Sequence, residues 1–232
     1  MSTAQPINVH AKLPRRLADR REYLVAKCRG KRVLHLGCVD FATSDGWEAR
    51  FRQQGLWLHD ALAAVAREII GIDNAKAAVD ELRSRYGRQD IHFGDAEHLD
   101  ALDFEPFELI VAGEVIEHLP NPGLLLRSAR QALVRGGLII ITTINTYCLR
   151  RFLRIPFGRE SVHRDHVAYY SHATLRRLAE LHGYAVVEQL AYRLPNRRPL
   201  LPYIVDWLAS AISPNLAEGL ICTITPEEAV GR

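Results

Sequence analysis

The sequence predicts an α/β protein built on a doubly wound, mostly parallel sheet with helices on both faces. Three observations carry that expectation. Short apolar runs rich in Val, Ile and Leu recur along the chain: RVLHLG (32–37), EIIGID (68–73), IHFGD (91–95), FELIVA (107–112) and LIIITT (138–143). Near-continuous apolarity over so few residues marks a strand buried on both faces. Helix-patterned stretches separate several of these runs, and strand–helix alternation makes βαβ units and therefore parallel pairing. A glycine or an acid stands at or just beyond the end of each of the first four runs, where open parallel sheets bind their ligands.

Taken in order, RVLHLG opens the sheet and closes on Gly37. WLHDALAAVA (57–66) and AKAAVDELRSRYG (75–87) read as helices, followed by PGLLLRSARQALVRGG (122–137). In that third helix Pro122 suits the start, where its fixed φ helps and its missing N–H costs nothing, and Gly136–Gly137 suits a stop. TLRRLAELHG (174–183) is a further helix, and YAVVEQLAY (184–192) and LICTI (220–224) are two more strands. Residues from about 11 to 29 read as a helix, giving an expected organisation of an N-terminal helical extension over 1–30 and one domain over 31–232. LLPYIVDWLASAI (200–212) is apolar apart from Asp206 and Ser210, four apart on one helical face. It reads as a helix packed on the core or at a dimer contact, with a cover over a binding site or membrane association as alternatives.

Composition excludes several classes. With 232 residues, 48% hydrophobic and 25% charged, the chain is neither disordered nor collagenous, and it is long enough for a full core. Cys28, Cys38, Cys148 and Cys222 lack CxxC spacing and read as free thiols in a reducing compartment. No signal-peptide core and no run of about 18 apolar residues occurs, so a cytoplasmic protein without an integral membrane segment is expected. The net charge of +3 divides unevenly: +7 over residues 1–32, −10 over 33–126, +9 over 127–198 and −3 over 199–232. Such a long acidic segment does not make a nucleic-acid footprint, and no nucleic-acid partner is expected.

The strand-end residues point to a nucleoside. Gly37 lets backbone approach a ligand, and Asp73 can accept hydrogen bonds from a ribose diol. Asp95 can accept from an adenine amino group, and small Ala96 leaves room for the ring. No GxxxxGK[ST] loop occurs, and GCVDFA lacks the second and third glycines of GxGxxG, so a nucleoside without a pyrophosphate fits best. Glu114, Glu117 and His118 follow the fourth strand.

These motifs resemble the class I S-adenosylmethionine-dependent methyltransferases, particularly the small-molecule branch that includes the ubiquinone-biosynthesis O-methyltransferases. The resemblance covers roughly residues 30 to 192, through VLHLGC, IIGID, IHFGDAEHLD, FELIVAGEVIEHLPNPGLLLRSARQALVRGGLIIITTIN and HRDHVAYYSHATLRRLAELHGY. It implies a Rossmann-like, seven-stranded sheet whose last strand, LICTI, runs antiparallel, with acceptor-covering insertions at 145–170 and 199–216. It implies S-adenosylmethionine as cofactor and methyl transfer to a small-molecule acceptor, with a hydroxyl oxygen expected. Carried over, it puts Gly37 and Cys38 at the methionine part and sugar, Asp73 at the ribose hydroxyls, Asp95 and Ala96 at the adenine, and Glu114 beside the sulfonium. Two departures stand out. Val39 occupies a position where the family usually has glycine. About 36 residues separate Gly37 from Asp73 instead of the usual spacing of roughly 20, so Asp40 to Leu56 reads as an inserted loop carrying Trp47. Two alternatives are a nucleic-acid methyltransferase, disfavoured because AGEVIEH stands where base methylators carry an Asn/Asp-Pro-Pro-aromatic motif, and a non-catalytic cofactor- or partner-binding module, motivated by Val39.

A hydroxyl acceptor benefits from a general base, and histidine titrates in the working range. His118, His163 and His166 are the candidates, each against a reading as a capping, packing or surface residue, while His10, His35, His59, His92, His98, His172 and His182 read as structural. HRDH offers two imidazoles but no third or fourth ligand at readable spacing, so no metal is expected. Arg150, Arg151, Arg154, Arg159 and Arg164 follow the fifth strand, and if they face the pocket they suit an anionic acceptor.

Overall fold

The computed structural model describes residues 13–14, 16–39, 57–160, 162–193 and 200–227. Each of the seven apolar runs falls on a strand, and the described residues form eight: β1 Leu17–Ala18, β2 Arg32–Leu36, β3 Glu68–Asp73, β4 Ile91–Phe93, β5 Phe107–Gly113, β6 Leu133–Ile144, β7 Tyr184–Tyr192 and β8 Gly219–Pro226. They make one sheet in the order β1-β7-β8-β6-β5-β2-β3-β4. All pairs are parallel except those of β8, which is antiparallel to both of its neighbours, β6 and β7. The Rossmann-like architecture is therefore as expected, with eight strands instead of seven. The added β1 comes from the stretch expected to be helical. That stretch turns helical only at Arg20, where Asp19 caps α1 (Arg20–Cys28) by accepting the Glu22 N–H at 2.9 Å.

The helices are α2 Leu58–Ala63, α3 Lys76–Tyr86, α4 Pro122–Gln131, α5 Leu149–Phe152, α6 His172–Leu181 and α7 Leu200–Ile212. Because side chains alternate across a strand, the central strands feed two cores. Leu34, Leu36, Ile110, Ala112, Ile139 and Ile141 pack with Leu125, Leu126 and Ala129 of α4 and with Leu175 and Ala179 of α6. Val33, Leu109, Val111 and Ile140 pack against Leu24 and Cys28 of α1 and Leu62 of α2 on the other face. All four cysteines are free and buried.

Three boundaries differ from the sequence expectation. The helix expected to reach Gly137 stops at Gln131, and Gly136–Gly137 lie inside β6. There Phe107 pairs with Leu133 but Leu109 already pairs with Leu138, so β6 bulges, and Gly136 at φ 74° supplies the left-handed backbone. The third run ends at Phe93, because Asp95 serves as the cap of a 3-10 turn instead. α6 begins two residues early, where Ser171 accepts the Thr174 N–H and the Thr174 hydroxyl accepts the Ser171 N–H. No helix among the described residues is long and apolar enough to cross a membrane. His10 and the Asp40 to Leu56 loop with Trp47 lie outside the described residues.

Candidate functional site

From β2 the chain winds through β3 and β4 to one side, then continues through β5 and β6 on the other, so the topological switch point lies between β2 and β5. Gly37 stands there at φ 65°, and a Cβ on it would lie 2.6 Å from Val115 Cγ2 of the turn after β5. Only glycine permits both that backbone and that approach. Cys38 is fully buried, and burial pushes its thiol well above its ordinary value, so it offers backbone rather than sulfur chemistry. Its carbonyl accepts Trp57 Nε1–H at 2.7 Å.

Asp73, at the end of β3, accepts the Val39 N–H on Oδ2 and the Ala75 N–H on Oδ1, each at 2.9 Å. The carboxylate thus ties the turn after β2 to the start of α3, and each oxygen retains a free acceptor site. Val39, where the resemblance led us to expect glycine, is 1% exposed and packs with Ala78, Val79 and Leu82. Its side chain replaces empty space on the α3 side, while its amide still serves Asp73. Asp95 accepts the Glu97 N–H at 2.9 Å and is exposed, with Ala96 half-buried beside it. Buried Glu97 accepts the Asn121 N–H at 2.6 Å and so joins this turn to α4.

After β5, Glu114 has φ 57°, the only positive value at a non-glycine among the described residues. Such a backbone persists where its surroundings over-determine it. Here the Glu114 N–H donates to Thr142 O at 2.8 Å, and Tyr192 Oη donates to Glu114 Oε1 at 2.6 Å. Glu117 is fully buried, taking the Thr143 hydroxyl on Oε2 at 2.9 Å, while Oε1 has no partner among the described residues. Burial, helped by the Glu114 carboxylate, pushes its carboxyl up to about 7. Neither Tyr192 nor Glu117 stood out among the sequence candidates. Tyr192 reads as the last residue of an apolar strand, and Glu117 as one of two acids beside His118.

The Glu117 carbonyl accepts the N–H groups of Val167 at 2.8 Å and Ala168 at 3.3 Å, folding the segment after α5 back over the end of β5. That fold brings the three candidate histidines together. His118 and His166 have ring centroids 4.5 Å apart, His163 and His166 5.2 Å, and His118 and His163 5.9 Å. One nitrogen of each lies within 4.8 Å of the others. His118 Nδ1 is 3.1 Å from Asp165 O, which fixes it as the donor. Burial, with the neighbouring His118 and His163, lowers the His166 pKa and favours its neutral ring.

The arginines divide. Arg150 is a half-buried tether: its Nε lies 2.9 and 3.1 Å from the two Asp206 oxygens, and its Nη2 donates to Glu218 Oε1 at 2.8 Å. Its charge is spent inside the fold, so it drops out of the set expected to meet an acceptor. Asp206 and Ser210 share the buried face of α7, as their spacing implies, and α7 is thereby fixed to α5. Asn145, just past β6, donates to Asn215 O and Ala217 O at 2.7 and 2.8 Å and holds the chain after α7. Arg154 and Arg159 line an open groove with Leu153, Phe157 and Glu160, and Arg164 lies 3.4 Å from Asp165. Behind Cys38, fully buried His59 joins His35 at 3.0 Å and Asp90 at 3.0 Å. Although burial raises it, hydrogen bonds from His59 and Arg88 hold the Asp90 carboxyl well below the usual range. This chain is internal scaffolding, consistent with the structural reading of His35 and His59.

Residues 9–189 match the family model of a methyltransferase domain. The chain is similar to a probable S-adenosylmethionine-dependent methyltransferase of Mycolicibacterium smegmatis, 31% identical over 170 residues that cover 72% of this chain and 57% of that one. It thus spans less than two thirds of that relative's length. A ubiquinone biosynthesis O-methyltransferase of Aromatoleum aromaticum is 25% identical, over 69% of this chain and 67% of that one. Among solved structures, the N-methyltransferase NodS of Bradyrhizobium japonicum in complex with S-adenosyl-L-homocysteine shares the fold, with TM-score 0.53 and 17% identity over 90% of this chain and 86% of that one.

Proposed function

The chain belongs to the methyltransferase-domain family, and from that membership we propose that it moves the methyl group of S-adenosylmethionine to a hydroxyl oxygen of a small-molecule acceptor. The residues at the switch point suit the donor. Gly37 leaves a cradle that a Cβ would fill, Asp73 keeps acceptor capacity for a ribose diol, and Asp95 with Ala96 stands at the next strand end for an adenine. Glu114, strained and held by Tyr192, and the backbone of Cys38 complete the set. The donor supplies a methyl group on a positively charged sulfur, ready for in-line displacement.

The protein's part is positioning and proton handling, since displacement at a sulfonium needs little covalent help. The observation that carries the oxygen reading is the histidine trio beside Glu114 and Glu117, which puts imidazoles at the carboxyl edge where an acceptor would approach. His118 and His166 are the leading proton acceptors and His163 completes the group. The segments 145–170 and 199–216, joined through Arg150 and Asp206, form the acceptor side. An N-methylating reading has support only from a neighbour of the same fold.

Calorimetric titration tests the donor: S-adenosylmethionine should bind, and NAD and ATP should not. Incubation of the protein and labelled cofactor with a cell extract then tests the acceptor. A small molecule should gain one methylene in mass at a hydroxyl, whereas label appearing on nucleic acid, or on no molecule, overturns the reading.

A further inference from the structure

We infer that His118, His163 and His166 form a binding site for a divalent transition-metal ion of the zinc class, with three imidazole ligands and an open fourth position. HRDH supplies two of the rings, and the Glu117 carbonyl's bonds to Val167 and Ala168 place the third against them. One nitrogen from each ring lies within 4.8 Å of the other two. Nitrogens at about 2.0–2.1 Å from a tetrahedral ion stand about 3.4 Å apart, so closure asks of each pair no more than about 1.4 Å. His163, whose side chain is 58% exposed, has the freedom to supply that movement.

The ring orientations are those of ligands. His118 donates Nδ1–H to the Asp165 carbonyl, leaving the Nε2 lone pair free, the arrangement by which a carbonyl fixes the tautomer of a metal-bound histidine. His163 Nδ1 accepts the Asp165 N–H only at 3.4 Å, and the Asp165 carboxylate lies 3.6 Å from the same nitrogen, so ligation through Nε2 asks the ring proton to move to Nδ1, where that carboxylate can receive it. His166 Nδ1 is buried with no partner among the described residues, a cost that a bound ion would remove. Three neutral rings with one open position suit zinc or its substitute cobalt over magnesium or calcium, which need oxygen ligands.

The trio follows the end of β5, near enough to Glu114 for its carboxylate to act on His166. Resting on the methyl-transfer reading, with the ion bound His118 and His166 would act as ligands in place of proton acceptors, and an acceptor hydroxyl seated at the open position would have its pKa lowered by the cation and would release its proton to solvent before attack.

The test is titration of the chelator-stripped 232-residue chain with Co²⁺ in the absence of S-adenosylmethionine. The visible bands of tetrahedral Co²⁺ should appear and saturate at one equivalent, and Zn²⁺ should abolish them. His163→Ala should weaken Co²⁺ binding by more than the 10- to 100-fold typical of losing an outer-shell partner. His118→Gln should do the same, and exposed His98→Ala should change nothing. Melting curves establish that each variant is folded, and calorimetry on His163→Ala should find S-adenosylmethionine bound as in the parent. That last measurement separates the two readings, since a parent that binds Co²⁺ but not S-adenosylmethionine refutes the donor site alone. Absence of the bands, or Co²⁺ bound equally by His163→Ala, overturns the metal site.

Discussion

At the scale of single residues, the site is built from groups whose local duty is visible and whose binding duty follows from position. Asp73 holds two backbone amides, so Asp73→Ala removes both a scaffold contact and the acceptor proposed for the ribose. Hydrogen bonds to a charged group are worth about 1.5–3 kcal/mol, so S-adenosylmethionine affinity should fall about 10- to 150-fold by calorimetry. Unchanged affinity would place the donor elsewhere. His118→Ala and His166→Ala should each lower turnover by about 10²–10⁴-fold with donor affinity nearly constant. Near-parental turnover in both would point to an acceptor that needs no help losing a proton. A third residue tests the core. His172 is 4% exposed with neither ring nitrogen partnered among the described residues, and burial, then the Arg176 charge, lowers its pKa to about 4. Its unfolded value is about 6.5, so the unfolded chain binds the extra proton. The His172 contribution is fully present above pH about 6.5 and declines as pH falls toward 4, by up to about 3 kcal/mol. Buried His35, also lowered, adds to the same slope. Denaturant unfolding across that window should show the decline, and His172→Leu should flatten it in part.

At the scale of elements, the contacts that matter join segments far apart in sequence. α5 buries none of its side chains, and the ion group of Arg150, Asp206 and Glu218 connects it to α7 and to the start of β8. The three side chains are 15%, 7% and 4% exposed. Arg150 bonds both carboxylates at once, and removing a partner from a buried ion group costs up to about 3–5 kcal/mol, so Arg150→Ala should destabilise clearly in denaturant unfolding. A loss below about 1 kcal/mol, the worth of an exposed pair, would show that water reaches the group. The same reasoning explains why α7, apolar enough to suggest several roles, buries the face that carries its two polar residues. Asp206 meets Arg150 there, while Trp207, Leu208 and Ile212 stay outside.

At the scale of the molecule, charge is sorted along the chain in a way the fold makes spatial. The acidic segment, −10 over residues 33–126, contains the strands of the proposed donor site, and the +9 segment follows it. With Arg150 internal, the arginines left for an approaching acceptor are Arg154, Arg159 and Arg164, all exposed, with half-buried Arg151 behind them. An acidic or phosphate-bearing acceptor would feel their field over about 8–10 Å at physiological salt. Its KM should therefore rise with ionic strength while the KM for S-adenosylmethionine changes less. A neutral acceptor whose KM is indifferent to salt would reduce these arginines to ordinary surface.

Seven of the sheet's strands, the helices between them, and the placement of Gly37, Asp73, Asp95 and Glu114 near strand ends are legible in the amino-acid sequence. These are local matters, since strand and helix periodicity, capping residues and strand-end glycines act over a few residues of chain. Features set at longer range came from packing. β1 pairs beside β7, because two residues gain strand geometry from a partner and not from their own pattern. Arg150 turned inward because Asp206 and Glu218 were waiting there, which no count of arginines could show. Sequence spacing put His163 and His166 together, but His118 joined them through two hydrogen bonds to one carbonyl of Glu117. A backbone carbonyl carries no side-chain signature, so the contact that assembles the trio left no trace in the sequence.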